Sequence, residues 1–264
     1  MQFSTLQLNS TAAQENPILS ILHAHSGIVC LVGAGGKKTT LYALAQHFPG
    51  RLGITTTVHL PPFPPNLPGA RIIAPAEQLI EQVSIAAQEH RVVAFAHPSQ
   101  TDYRVTGVSL EALETIQQQA RFDALFIKAD GARQRLIKAP APYEPVIPAN
   151  TTTVLILVSA RTIGRLLDER IAHRVELIEA VTDARRGEPI QALHLARLLA
   201  SEQGLLHGVG TARVVPIINQ VDNEDYLRSA IDAARQALLL TDRFDYIVLA
   251  TMRRELPIID VIAR

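Results

Sequence analysis

Nearly continuous apolar runs punctuate the chain: IVCLV (28–32), VVAFA (92–96), DALFI (123–127), VLILV (154–158), VVPII (214–218) and YIVLA (246–250). Each has strand length, and unbroken rather than alternating hydrophobicity marks strands covered on both faces. LGITT (52–56) and RII (71–73) are weaker runs of the same kind. Between them the apolar spacing changes to three and four residues, which predicts helices over 40–48, 77–90, 109–120, 189–204 and 223–240. The fourth opens on Pro189 and stops at Gly204, the expected asymmetry of a helix. Strands alternating with helices predict an α/β fold: a mainly parallel sheet with helices on both faces.

Two segments break this rhythm. LPPFPPNLPG (60–69) is too rich in proline for either regular structure, and GARQRLIKAPAPYEPVIPAN (131–150) is a second long irregular connection. Long connections inside a compact domain tend to carry function. At 264 residues the chain is expected to be one domain, with an N-terminal extension over 1–26 and room for a helical insertion over 160–210.

Charge removes some partners. The 25 basic and 25 acidic side chains balance, so nothing in the composition calls for nucleic acid. No apolar run approaches the roughly 20 residues needed to cross a bilayer. MQFSTLQLNSTAAQENP lacks the basic and apolar regions of a secretory signal. The one cysteine, Cys30, lies inside a predicted strand and behaves there as a small hydrophobe. The expectation is a cytoplasmic protein.

VGAGGKKTTL (32–41) carries the candidate chemistry, because it joins a predicted strand to a predicted helix. Glycine amides and a helix N-terminus together make a phosphate cradle there. The long pattern G-x-x-x-x-G-K-[ST] fails, since ending it on Lys38–Thr39 puts Lys37 where the last glycine belongs. A shorter G-x-x-G-K pattern fits Gly33, Ala34, Gly35, Gly36 and Lys37, with Lys37 expected on the phosphates of ATP or GTP. Lys38 then takes the position of the metal-binding hydroxyl, and Thr39, beside Thr40, supplies one if the first helical turn shifts. The plainer alternative is a glycine turn with exposed lysines.

Other candidates end predicted strands, where ligands bind in open α/β sheets. Asp130 closes ALFIKAD and is expected to hold Mg²⁺ with Thr39; capping the next turn is its alternative. Thr55, followed by Thr56 and Thr57, is placed to touch a γ-phosphate or metal-bound water, although threonine also simply suits a strand. His59 is a further titratable group at that end. In NQVD, Asn219 and Asp222 match two positions of a guanine-reading Asn-Lys-x-Asp, with Gln220 in place of the lysine; helix capping is the alternative. Arg133, Arg135, Lys138 and Glu144 on the second irregular connection would bind phosphate or an anionic substrate, or be solvated loop charges. His173 and Arg174 carry no assigned role.

GAGGK (33–37), ITTTVHLP (54–61), KADGARQRLIKAPAPYEPVIP (128–148), GRLLDERIAHR (164–174) and NQVD (219–222), in that order, make the chain resemble the YqeC family of selenium-dependent hydroxylase accessory proteins. The resemblance implies a cytoplasmic, three-layer P-loop-NTPase-like fold. It also implies a role in maturing molybdenum hydroxylases with a labile selenium cofactor, the hydroxylase or its cofactor being the partner. The family pattern reads Glu-Ala-Asp-Gly-Ala where this chain has Lys128-Ala-Asp-Gly-Ala. Lys38, Lys128 and Gln220 are thus three isolated departures on functional motifs, so the fold is expected to hold while NTP hydrolysis weakens. The alternative function is a non-catalytic scaffold that binds a partner enzyme or an anionic molybdenum-type cofactor.

Overall fold

The computed structural model describes residues 4–5, 17–101 and 103–264. In chain order the elements are β1 (Ser4–Thr5), α1 (Pro17–Ile21), β2 (Gly27–Gly33), α2 (Lys37–His47), β3 (Leu52–Thr56), β4 (Ala70–Ile73) and α3 (Ala76–Glu89). There follow β5 (Val92–Pro98), β6 (Val105–Thr106), α4 (Leu110–Ala120), β7 (Ala124–Lys128), β8 (Ile137–Lys138) and β9 (Thr153–Ser159). The chain closes with β10 (Ala172–His173), α5 (Val175–Thr182), α6 (Ala192–Ala200), β11 (Arg213–Asn219), α7 (Glu224–Leu240), β12 (Tyr246–Ala250) and β13 (Ile258–Ala263).

The main sheet runs β1-β13-β12-β11-β9-β2-β7-β3-β5-β4, with β6 added beside β5. From β12 to β4 every pairing is parallel, and β13 is antiparallel at the far side. On β2 the side chains alternate as the pleat requires. Ile28, Cys30 and Val32 join the core beneath α3 to α7, and Val29 and Leu31 join the core beneath α1 and α2. That is the three-layer α/β arrangement expected from the unbroken apolar runs.

Strand order explains where a ligand can bind. β2 lies between β7 and β9, so the chain turns to one side of β2 for β3 and to the other for β9 and β11. Open α/β sheets bind ligands at such a reversal, beyond the carboxyl ends of the strands. The connection from β7 to β9 has to cross β2, and it contains the irregular 131–150 segment. Topology therefore brings that connection over the glycine loop.

Helix boundaries follow local caps. Ser109 accepts from Ala112 N–H at 3.2 Å and Asn223 from Tyr226 N–H at 2.9 Å, each worth about 1 kcal/mol to its helix. The helix expected over 189–204 is shorter, Ala192–Ala200, because the Gln191 N–H donates to His194 Nδ1 at 3.1 Å and starts it later. Residues 1–3 and 6–16 of the expected N-terminal extension lie outside the described residues. From Pro17 onward that stretch is α1, with Ile18 and Leu19 in the core. The 160–210 stretch supplies α5 and α6, whose apolar faces share one core with α7. Among the described residues no helix is long and apolar enough to cross a membrane.

Candidate functional site

The glycine loop is shaped by the strands on either side of it. Gly33 has φ 88°, and a Cβ there would lie 2.2 Å from the Leu157 carbonyl oxygen of β9. Gly36 has φ 127°, and its Cβ would lie 2.3 Å from Asn219 Nδ2 of β11. Only glycine fits these two positions. Asn219 is 2 % exposed and holds the loop in place: its amide donates to the Gly35 carbonyl at 2.8 Å and accepts from Met252 N–H at 3.1 Å.

Three loop amides have internal partners. Gly33 N–H donates to Asp130 Oδ2 (2.9 Å), Ala34 N–H to the Leu157 carbonyl (2.8 Å), and Gly35 N–H to the Arg135 carbonyl (3.3 Å). The next four, on Gly36, Lys37, Lys38 and Thr39, meet no acceptor among the described residues. They are the first N–H groups of α2, at the positive end of its dipole, and Gly36 has no side chain with which to cap them. A row of unmatched amides there is an anion-binding arrangement.

Beneath the loop runs a buried chain of alternating charges. Lys37 Nζ lies 2.9 Å from Asp130 Oδ1 and also donates to the Gly33 carbonyl. The contact with Oδ1 is one of charge rather than an aligned hydrogen bond, so that oxygen keeps acceptor capacity. Lys138, fully buried, lies 2.9 Å from Asp130 Oδ2 and 2.7 Å from Glu144 Oε2. Arg174 reaches the same Glu144 oxygen at 2.7 Å. Burial alone would raise the Glu144 pKa, but the hydrogen bonds from Lys138 and Arg174 outweigh it and hold the carboxyl at about 2. Of the charges on this connection, expected either to bind an anion or to be solvated, Lys138 and Glu144 are interior and Arg133 is on the surface.

Above the loop opens a cleft of about 960 Å³. Lys37, Lys38, Thr39, Lys128, His59, Arg133, Arg135, His173 and Arg174 are among the residues that line it. Arg104 and Arg253 also line it, and among the described residues Glu144 is its one acidic side chain. In a protein of zero net charge this is a strong local excess of cations, and it would draw in an anion. Two groups register the excess. Burial, Lys37 and the other lysines together bring Lys128 down to about 7 against the pull of Asp130. Burial, Arg174, Lys138 and Arg133 bring His173 down to about 4, a neutral imidazole. Four residues with left-handed backbone, Arg133, Gln134, Arg174 and Gln220, also line the cleft. Strain of that kind gathers at functional sites.

Not every candidate from the sequence reaches the cleft. Thr55 is fully buried and donates to the Phe95 carbonyl at 2.7 Å. Thr56 donates to the Lys128 carbonyl at 2.8 Å and Thr57 to the Val146 carbonyl at 2.8 Å, so these hydroxyls tie strands and loops together. Asp222 pairs with Arg161, its Oδ2 accepting from Nε at 2.6 Å, and Asn219 is committed to the loop. From NQVD only Gln220 lines the cleft, held by the Ser159 hydroxyl. Thr40 is buried beside the lining with its hydroxyl unpartnered. Thr40→Val is expected to raise stability by about 1 kcal/mol by removing that unpaired group, read from urea unfolding.

Arg104 and Arg253 were not found from the sequence. Their segments follow the carboxyl ends of β5 and β12, and asking which loops leave that edge of the sheet was the signal for them.

Comparison with known proteins adds two findings. The family model described as YqeC protein matches residues 29–176. A protein of Escherichia coli (strain K12) described as "Uncharacterized protein YqeC" is 27 % identical over 187 residues, 69 % of this chain and 71 % of the relative.

Proposed function

The chain belongs to the YqeC family, and from that premise we propose that it binds the phosphates of ATP or GTP on the Gly33–Lys37 loop, as an accessory in maturing selenium-dependent molybdenum hydroxylases. The observation that carries the reading is the row of four unmatched amides, Gly36 to Thr39, at the start of α2 beside the buried Lys37 ammonium. A phosphate would take these donors and draw Lys37 off the Gly33 carbonyl, while Asp130 keeps the lysine aimed. The accessory role is what the family resemblance implies.

Hydrolysis is expected to be slow. Among the described residues the one carboxylate in the lining, Glu144, is held near a pKa of 2 by its two cations, which makes it a poor general base. His173, brought to about 4 by burial and then by the neighbouring cations, is a weak base as well.

A second reading, a scaffold for an anionic molybdenum-type cofactor or a partner enzyme, draws on Arg133, Arg135 and Arg174, which add cations to the lining beyond those of the glycine loop. Titration with fluorescent ATP and GTP analogues separates the two. Lys37→Ala is expected to weaken nucleotide binding about 10- to 100-fold, the loss of a charge-assisted contact. Equal affinity in mutant and wild type would remove the phosphate-loop reading and leave the scaffold.

A further inference from the structure

The two residues expected to hold Mg²⁺ do not make a metal site in this fold. Asp130 is buried under the loop and outside the cleft lining, engaged by Gly33 N–H, Lys37 and Lys138. Thr39 is in the lining, but its neighbour there is the Lys38 side chain. A metal ion at this place would meet ammonium groups from α2 and β7 rather than oxygens. The donor set does not fit a hard dication, which requires several oxygen ligands.

The same geometry suits a different partner. Lys38 extends from the first turn of α2, the position whose hydroxyl carries the metal in an ordinary phosphate loop. Lys128 comes from the carboxyl end of the neighbouring strand β7, and its Nζ donates to the His59 carbonyl at 3.1 Å. Neither lysine has a carboxylate within ion-pair distance among the described residues. Lys38 brings one positive charge to the lining, and Lys128, whose proton a bound anion would hold in place, brings the second, together the charge that one Mg²⁺ would supply. Gln220, the third departure from the motifs, lines the same cleft. The three substitutions are far apart in the chain and converge on one place.

Resting on the phosphate-binding reading above, we propose that the cleft takes a polyphosphate bare of divalent metal, with Lys38 and Lys128 in the role of the ion. Lys37 and the α2 amides hold the phosphate nearest the loop, and Lys38 and Lys128 neutralise the oxygens that Mg²⁺ would otherwise bridge. Mg²⁺ in solution then competes with the protein for the polyphosphate, so its effect on affinity has the opposite sign to that in a metal-dependent phosphate loop.

The test is calorimetric titration of the full chain with ATP and with inorganic tripolyphosphate, in EDTA and in excess Mg²⁺. Wild type is expected to bind both anions in EDTA and to weaken several-fold with Mg²⁺. Lys38→Thr, an exposed change that restores the hydroxyl, and Lys128→Met are each expected to lower affinity in EDTA about tenfold, one charge-assisted contact apiece. Lys38→Thr is also expected to make Mg²⁺ favourable again. Wild-type binding that requires Mg²⁺, or is unchanged in both variants, overturns the proposal and leaves the phosphate-binding reading standing. Failure of ATP, GTP and tripolyphosphate to bind in either condition overturns that reading and this one with it.

Discussion

Lys138→Met is expected to cost about 3–5 kcal/mol of folding stability, the largest effect of any single change in the site. The methionine fills the space but leaves the carboxylates of Asp130 and Glu144 buried without their shared cation. Asp130 would keep only Lys37 and Gly33 N–H, and Glu144 only Arg174 and Ala141 N–H. In a chain of 264 residues such a loss lowers Tm by about 10 °C. The pH profile would change as well. Glu144 has a pKa near 2 in the fold against 4.5 when unperturbed, so its stabilisation is present above pH 4.5 and is lost as pH falls toward 2. Removing Lys138 takes away the first of the two hydrogen bonds that depress it, so this acid limb should shrink. Thermal unfolding of wild type and variant between pH 3 and 8 reads both effects. An unchanged Tm at pH 7 would mean that the charge chain does not hold the loop.

The second prediction has the opposite sign. Lys128→Met is expected to stabilise the ligand-free protein by about 2–4 kcal/mol at pH 7, raising Tm by about 5–10 °C. Lys128 is 7 % exposed, has no carboxylate partner, and is brought by burial and by Lys37 from 10.5 to about 7. The unfolded chain holds the extra proton between those two values. Stability should therefore be lowest at and below pH 7 and rise toward pH 10.5. Lys128→Met should abolish that rise, which chemical denaturation at several pH values would show. A variant that is more stable but binds phosphate less well is what a functional site under electrostatic tension gives. A variant less stable than wild type would mean that the methylene packing and the His59 hydrogen bond outweigh the burial of the charge.

Particular elements show what could be read along the chain. VLILV falls within β9 and YIVLA coincides with β12, because a strand covered on both faces must be apolar throughout, and that is a local property. β13 was not anticipated, since Asp260 interrupts its apolar run and its place beside β12 depends on a turn. VELIEAVT, which forms α5, is short and has no helix-favouring cap, for Arg174 precedes it with a left-handed backbone. The glycine loop was legible because its backbone demands leave few residue choices.

The sequence by itself determined the layered α/β fold, the glycine loop between a strand and a helix, and the connection that carries the cations. Periodicity and glycine placement are local constraints, and they survive any arrangement of the rest. Only the tertiary structure decided which charges meet. Asp130 receives the Gly33 amide across 97 residues of chain and becomes a buried anchor for Lys37 and Lys138 rather than an open ligand. Thr55 turns to the Phe95 carbonyl, and Asn219 to the loop it supports. The physical reason is the strand order. With β2 set between β7 and β9, the crossover from β7 must pass the loop, and burial there forces each charge to find its partner from a distant part of the chain.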